Sequence, residues 1–262
     1  MIFYFTATGN CLYVAKQLDD DLLSIPQEIH KKDKIYKADK IGIVCPTYGH
    51  EIPGIVKTFI SESTFDTPYF YIIATYGFHH GGCAELTQKF LVSLGKKADY
   101  INTVIMVDNA LPGFDIEEQL RIDPEKRVDE HILTIKADIE SGRKYIQPAT
   151  EIDREHHRVY LNRSGKIEVS ESNPLYEVEE GCIGCGVCTR VCPVGCIRVV
   201  SGKAHHTYEG CATCLACIHA CPKYAIKMRL GEKNPNAHYR NPHISMQEII
   251  MANNQKEVGS VE

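Results

Sequence analysis

Between Cys182 and Pro222 the chain writes one phrase twice: CIGCGVCTRVCP (182–193), then CATCLACIHACP (211–222). All four cysteines of the first recur in the second at a constant offset of 29 residues. C-x2-C-x2-C-x3-C-P is a spacing that holds a cubane iron–sulfur cluster, and two copies predict two [4Fe–4S] clusters. Three closely spaced thiolates wrap three corners of a cube. The fourth cysteine, one helical turn on, points toward the neighbouring cube. Cys182, Cys185, Cys188 and Cys221 are therefore expected to hold one cluster, and Cys211, Cys214, Cys217 and Cys192 the other.

Motif for motif, this segment resembles the bacterial two-cluster ferredoxins. Nine of the twelve cysteines lie in 177–229, and the other three are Cys11, Cys45 and Cys83. A disulfide framework would need an exporting context. Met1 instead runs into Ile2-Phe3-Tyr4-Phe5 with no basic stretch, long apolar core or cleavage site. Zinc sites are usually written as separated C-x2-C pairs, not as two sets of four. A reducing cytoplasm is the expected setting. No apolar run approaches about 18 residues, so no membrane span is expected.

Upstream, short apolar runs alternate with amphipathic stretches: IFYF (2–5), CLYVAKQL (11–18), IGIVCP (41–46), IVKTFI (55–60), YFYIIATY (69–76), CAELTQKFLVSL (83–94) and YINTVIMV (100–107), with a helix-like stretch around 124–144. Continuous apolar strands between helices predict a parallel sheet covered on both faces. The dinucleotide fingerprint and the Walker loop are both absent. The first strand ends instead in Thr6-Ala7-Thr8-Gly9-Asn10-Cys11 and passes directly into a helix. Such a turn offers backbone N–H groups and a helix dipole to an anion. The same residue types would also suit a plain helix cap. Two further strands end in Pro46-Thr47-Tyr48-Gly49 and Thr75-Tyr76-Gly77, each an aromatic–glycine pair. An aromatic can stack on a flat ring, and a glycine lets backbone approach that ring's edge.

With these three loops in this order, the N-terminal part resembles the flavodoxins. The whole chain looks like the flavodoxin–ferredoxin fusion proteins of anaerobes. That resemblance implies FMN, its phosphate on Thr6–Cys11 and its ring beside the other two loops. Flavodoxins generally carry Ser or Thr where this chain has Cys11, so that position is expected to contribute backbone N–H more than side chain.

The expected division is a flavodoxin-like FMN domain (1–147), a packed connector (148–176), a two-[4Fe–4S] domain (177–229) and a tail (230–262). The fold class is thus α/β flavodoxin-like, followed by a small α+β ferredoxin-like unit. In the connector, HRVYLN (157–162) and KIEVS (166–170) read as a hairpin. Gly181, Gly184 and Gly186 are expected at positive φ, and Ile183, Val187, Val191, Leu215 and Ile218 are expected to shield the cubes. His79 and His80 sit on a predicted flavin loop and are candidates for proton delivery, or simply face solvent. Cys196 has Ala225 as its counterpart in the second repeat. It reads as a small buried residue or a reserve ligand. In the tail, Tyr239 and Arg240 are expected over the domain junction, Ser245–Glu248 as a capping box, and the polar end after Asn253 as disordered.

Residues 1–150 carry 16 Lys+Arg against 21 Asp+Glu, whereas 177–229 carry 6 against 4, a contrast that would favour docking within the chain. No basic stripe points to nucleic acid. The expected function is electron transfer coupling FMN to two clusters, with redox proteins as donor or acceptor. The rival is an FMN-dependent reductase of a quinone or nitro compound, fed by the clusters, with Asp108–Arg121 walling its pocket. A cluster-based redox sensor is a third reading.

Overall fold

The computed structural model of the chain describes residues 1–164, 174–208 and 210–254. Six strands form its main sheet: β1 (Ile2–Tyr4), β2 (Leu22–Ser24), β3 (Ile41–Pro46), β4 (Phe70–Tyr76), β5 (Tyr100–Ile105) and β6 (Tyr145–Ile146). All pair in parallel in the order β2-β1-β3-β4-β5-β6. This is the flavodoxin-type doubly wound order, with one strand added at the edge. The order reverses at β1, where Ile2 pairs with Leu22 on one side and Gly42 on the other. Connections leave β1 and β3 in opposite directions there, and a cleft opens at the carboxyl ends of the strands.

Side chains alternate between two cores, and this is why every strand reads as an unbroken apolar run. Ile2, Tyr4, Val44, Ile73 and Tyr100 face one layer with α1 (Asn10–Leu18). Phe3, Phe5, Ile43, Ile72 and Ala74 face the other, with α2 (Gly54–Glu62) and α3 (Cys83–Ser93). After β5 come α4 (Ile116–Ile122) and α5 (Val128–Glu140), the latter packing on the α1 side through Ile132, Ile135 and Ile139.

Residues 151–164 form helix α6 (Glu151–Ser164), so the first half of the expected hairpin is helical. The second half, 166–170, lies outside the described residues. Thr150 Oγ1 accepts the Asp153 N–H at 3.1 Å while the Asp153 carboxylate takes the Thr150 N–H at 2.8 Å, a reciprocal cap. Arg154–Glu151 and Arg158–Glu155 pairs follow one turn apart. The alternation that mimicked a strand includes Leu161, which is more than half exposed.

The cysteine-rich segment is two antiparallel pairs around two one-turn helices. Strand β7 (Tyr176–Val178) pairs with β10 (Ile226–Met228), and β8 (Ile197–Val200) with β9 (Lys203–His206). The helices are α7 (Val187–Arg190) and α8 (Ala216–His219). The chain is therefore an α/β flavodoxin-like sheet followed by a ferredoxin-type α+β unit. Val191, Ala216 and Ala220 join the α1 core, so the two parts share apolar contacts. The tail ends in α9 (Met246–Asn253), opened by the expected capping box of Ser245 and Glu248. Residues 255–262 lie outside the described residues. Among the described residues no helix is long and apolar enough to cross a membrane.

Candidate functional site

A cleft of about 140 Å³ lies at the carboxyl ends of β1, β3, β4 and β5. Thr6, Ala7, Thr8, Asn10 and Cys11 line it from the first loop, Pro46, Thr47 and Tyr48 from the second, and Thr75, Tyr76 and Gly77 from the third. Of the residues expected there, Gly9 and Gly49 do not reach the lining. Gly9, at φ 102°, precedes α1, and a Cβ on it would lie 3.0 Å from Asn241 and Ile244. Gly49, at φ 58°, packs under Tyr160 of α6.

The loop is held from within. Thr6 Oγ1 accepts the Gly9 N–H at 3.1 Å, and Thr8 Oγ1 accepts Asn109 Nδ2 at 2.6 Å. Asn10 is consumed by the fold. Its Oδ1 accepts the Tyr239 hydroxyl (2.7 Å) and Asn241 Nδ2 (3.1 Å), while its Nδ2 donates to Val107 O (3.3 Å). Cys11 Sγ lies 3.2 Å from Thr75 Oγ1, and burial pushes the thiol up to about 12, so it stays protonated. Helix α1 has no side-chain cap at Gly9, and its first two residues, Asn10 and Cys11, line the cleft. Among the described residues no lysine, arginine or histidine lines the cleft. These groups suit a phosphate monoester held by backbone N–H and hydroxyls at a helix N-terminus. Tyr48 and Tyr76 supply aromatic surface further along. The donor set therefore fits FMN.

His79 and His80 do not line the cleft. They turn to α6, where His79 stacks on His156 at 3.6 Å and His80 Nε2 lies 3.4 Å from Asp153 Oδ1. Asp108, Asn109 and Ala110, from the 108–121 loop read as a pocket wall, do line the cleft, whereas sequence reasoning missed Val107 beside them and Thr213, Cys214 and Leu215 from the second cysteine repeat. Position at the end of β5 was the available signal for Val107, and nothing local signals the residues of the second repeat.

The cysteines separate into two sets. Cys182, Cys185, Cys188 and Cys221 line one cavity. Burial, then the neighbouring Cys185, Cys221 and Cys182, pushes Cys188 up to about 11. Burial, then Cys214, Cys192 and Cys211, raises Cys217 well above the ordinary thiol range. Contact with Cys196 instead lowers Cys192 and Cys211, and the thiolate is the ligand form. Backbone N–H groups already point at sulfur: Ala204 N to Cys182 Sγ (3.4 Å), Thr213 N to Cys211 Sγ (3.4 Å) and Ala225 N to Cys221 Sγ (3.3 Å). Val191, Leu215 and Ile218 are buried, and Ile183, though 59% exposed, lines the cavity of Cys182, Cys185, Cys188 and Cys221.

The two repeats share their backbone turns. Gly184, Gly186 and Gly195 lie at φ 63°, 71° and 68°, and 29 residues on, Thr213, Leu215 and Tyr224 lie at φ 49°, 61° and 53°. Gly181, expected among them, is not. A non-glycine residue there costs roughly 1–2 kcal/mol, so the second repeat carries strain that its loop geometry demands. A Cβ on Gly184 would lie 2.4 Å from Gly202 O. Gly184→Ala is therefore expected to cost about half of the bound iron, while Thr213→Gly keeps it and gains about 1 kcal/mol. Iron per chain and urea midpoints measure both. Retained iron in Gly184→Ala would contradict the reading.

Cys196 is buried, with its sulfur 3.5 Å from Cys192 Sγ and 3.5 Å from His206 Nε2. Cys196, His206 and Cys211 bring three potential metal-ligand atoms within 4.8 Å of one another.

Residues 174–222 match the family described as the 4Fe-4S dicluster domain. This segment is thus an iron–sulfur domain of the 4Fe–4S type, and such domains transfer electrons. No curated protein matches the chain. Similar solved structures include rubredoxin oxygen:oxidoreductase from the anaerobe Desulfovibrio gigas, 14% identical with a TM-score of 0.32, covering 52% of this chain and 36% of that one. Another is the Trp repressor binding protein from Bacillus subtilis, 13% identical with a TM-score of 0.32, covering 52% of this chain and 96% of that one. The fold assignment rests on the strand order and not on these likenesses.

Proposed function

We propose that the chain is a redox carrier joining an FMN domain (1–147) to a domain of two [4Fe–4S] clusters (177–229), with 148–176 as packed connector and 230–262 as tail. One observation carries the reading. Cys214 and Leu215, from the second cysteine repeat, form a wall of the same cleft as the Thr6–Cys11 loop. A ligand in that cleft would therefore touch a cluster-binding loop directly. FMN, when bound, exchanges one or two electrons, and a cubane exchanges one.

The chain's own residues hold these parts together. Asn109 O meets His219 Nε2 at 2.9 Å, and His219 Nδ1 accepts the Tyr239 N–H at 3.1 Å. The Tyr239 hydroxyl then reaches Asn10, so a buried chain of hydrogen bonds links the first loop to α8, which carries Cys217. Asn253 Nδ2, fully buried, donates to Thr6 O at 2.9 Å and to Val191 O at 3.2 Å. The tail thereby pins the cleft to both cysteine repeats. Buried polar networks of this kind fix geometry when their members are satisfied. The physiological partners on this reading are redox proteins that give or take electrons at low potential.

Composition tests the proposal. Anaerobically purified protein is expected to release FMN and to contain about eight irons and eight sulfides per chain, four of each per motif. Extracted FAD, or iron near four after reconstitution, would overturn it.

A further inference from the structure

Among the described residues lining the cleft, one side chain is formally charged, Asp108. Its carboxyl packs on Gly77, where a Cβ would lie 2.2 Å from both Asp108 Cβ and Oδ2. Only a glycine makes room for it. Oδ1 accepts the Ala110 N–H at 3.0 Å, which fixes the side chain. Lys126, the cation whose charge acts on it, has its hydrogen bonds elsewhere: Nζ donates to Met106 O at 2.6 Å and to Gln119 Oε1 at 3.0 Å. Gln119 Oε1 also accepts the Asp108 N–H at 3.2 Å. Asp108 forms no ion pair among the described residues. The chain thus keeps an acidic group half-buried without a direct ion pair, in a cleft whose other lining groups among the described residues are neutral. Burial lifts its carboxyl above the usual range, and the Ala110 N–H and Lys126 only partly offset that. A structural role accounts poorly for an arrangement that disfavours the charge it bears.

An ionised carboxylate only accepts hydrogen bonds. It repels carbonyl and phosphate oxygens and attracts N–H and O–H. We propose that Asp108 is the specificity-determining group of the cleft, accepting a hydrogen bond from an N–H or O–H of the bound flavin. Two parts of FMN offer such donors, the ring imide N–H and the ribityl hydroxyls. This assignment rests on the flavin reading above.

The test is equilibrium binding to the anaerobic, cluster-loaded protein from which flavin has been stripped, titrated with FMN, N3-methyl-FMN and 2′-deoxy-FMN. Wild type is expected to bind one of the two analogues about 10- to 100-fold more weakly than FMN, as for a hydrogen bond to a charged acceptor. Loss with N3-methyl-FMN identifies the ring donor, and loss with 2′-deoxy-FMN the ribityl donor. Asp108→Ala should abolish that discrimination. Asp108→Asn, which keeps an acceptor oxygen and the Ala110 contact, should retain part of it. Iron content should stay unchanged, and flavin-free Asp108→Asn should melt no lower than wild type at pH 7. Equal analogue penalties in wild type and Asp108→Ala would overturn the assignment of Asp108 alone. Failure of wild type to bind any FMN would overturn the flavin reading beneath it.

Discussion

Cys221→Ser is expected to remove the cluster built on Cys182, Cys185 and Cys188, although Cys221 belongs to the other repeat. Iron should fall from about eight to about four per chain, and the surviving spectrum should be that of the second site. Helix α8 is a single turn ending at His219. It carries Cys221 past the second site and into the cavity lined by Cys182, Cys185 and Cys188. The converse experiment needs two changes. Cys192 is the matching crossover ligand in the proposed sets, but Cys196 Sγ lies only 3.5 Å from its sulfur. Cys192→Ser alone therefore leaves a second thiol in place, and Cys192→Ser with Cys196→Ala is the clean variant. That pair should lose the Cys211–Cys217 cluster and spare the other. If Cys221→Ser instead lost the cluster of its own repeat, the ligand sets would have to be redrawn without crossing.

The proposed ligand sets come from cysteine spacing, because cluster geometry constrains that spacing directly. The sheet was legible because strands covered on both faces cannot alternate, and IGIVCP and FYIIATY do not. What escaped was set by distance along the chain. Asn10 reads as a phosphate ligand from its loop, yet its side chain is bound by Tyr239 and Asn241, more than 200 residues away. Those contacts exist only once the tail has folded back. His79 and His80 looked like cleft residues until α6 drew them outward. The left-handed turns at Thr213, Leu215 and Tyr224 carry no glycine to announce them. They become visible only through the 29-residue repeat, as partners of Gly184, Gly186 and Gly195. Local rules fail here at the two places proposed to hold cofactors.

The second large effect concerns the path between those two places. A low-potential one-electron donor, mixed rapidly with the anaerobic protein, is expected to bleach the flavin absorbance with no small-molecule substrate present. Cys211→Ser with Cys214→Ser removes the cluster next to the cleft and should slow that bleaching at least tenfold. FMN should stay bound, because the residues proposed to hold its phosphate lie on the Thr6–Cys11 loop. The physical basis is adjacency. Cys214 is a cleft-lining residue and one of the thiols crowded around Cys217, so no further protein layer separates the two sites. Electron tunnelling weakens steeply with distance, and a donor in solution cannot approach the buried side of the cleft as closely as a cluster on Cys214 does. The competing reductase reading makes a different demand on the same instrument. There, a quinone or nitro compound should reoxidise the flavin with saturable kinetics, and Tyr48→Ala or Tyr76→Ala should change that step alone. His80→Ala should not, since His80 faces α6 and lies outside the cleft lining. If the variant lacking Cys211 and Cys214 accepts electrons onto FMN as fast as wild type, the internal path is wrong, whatever the clusters do elsewhere.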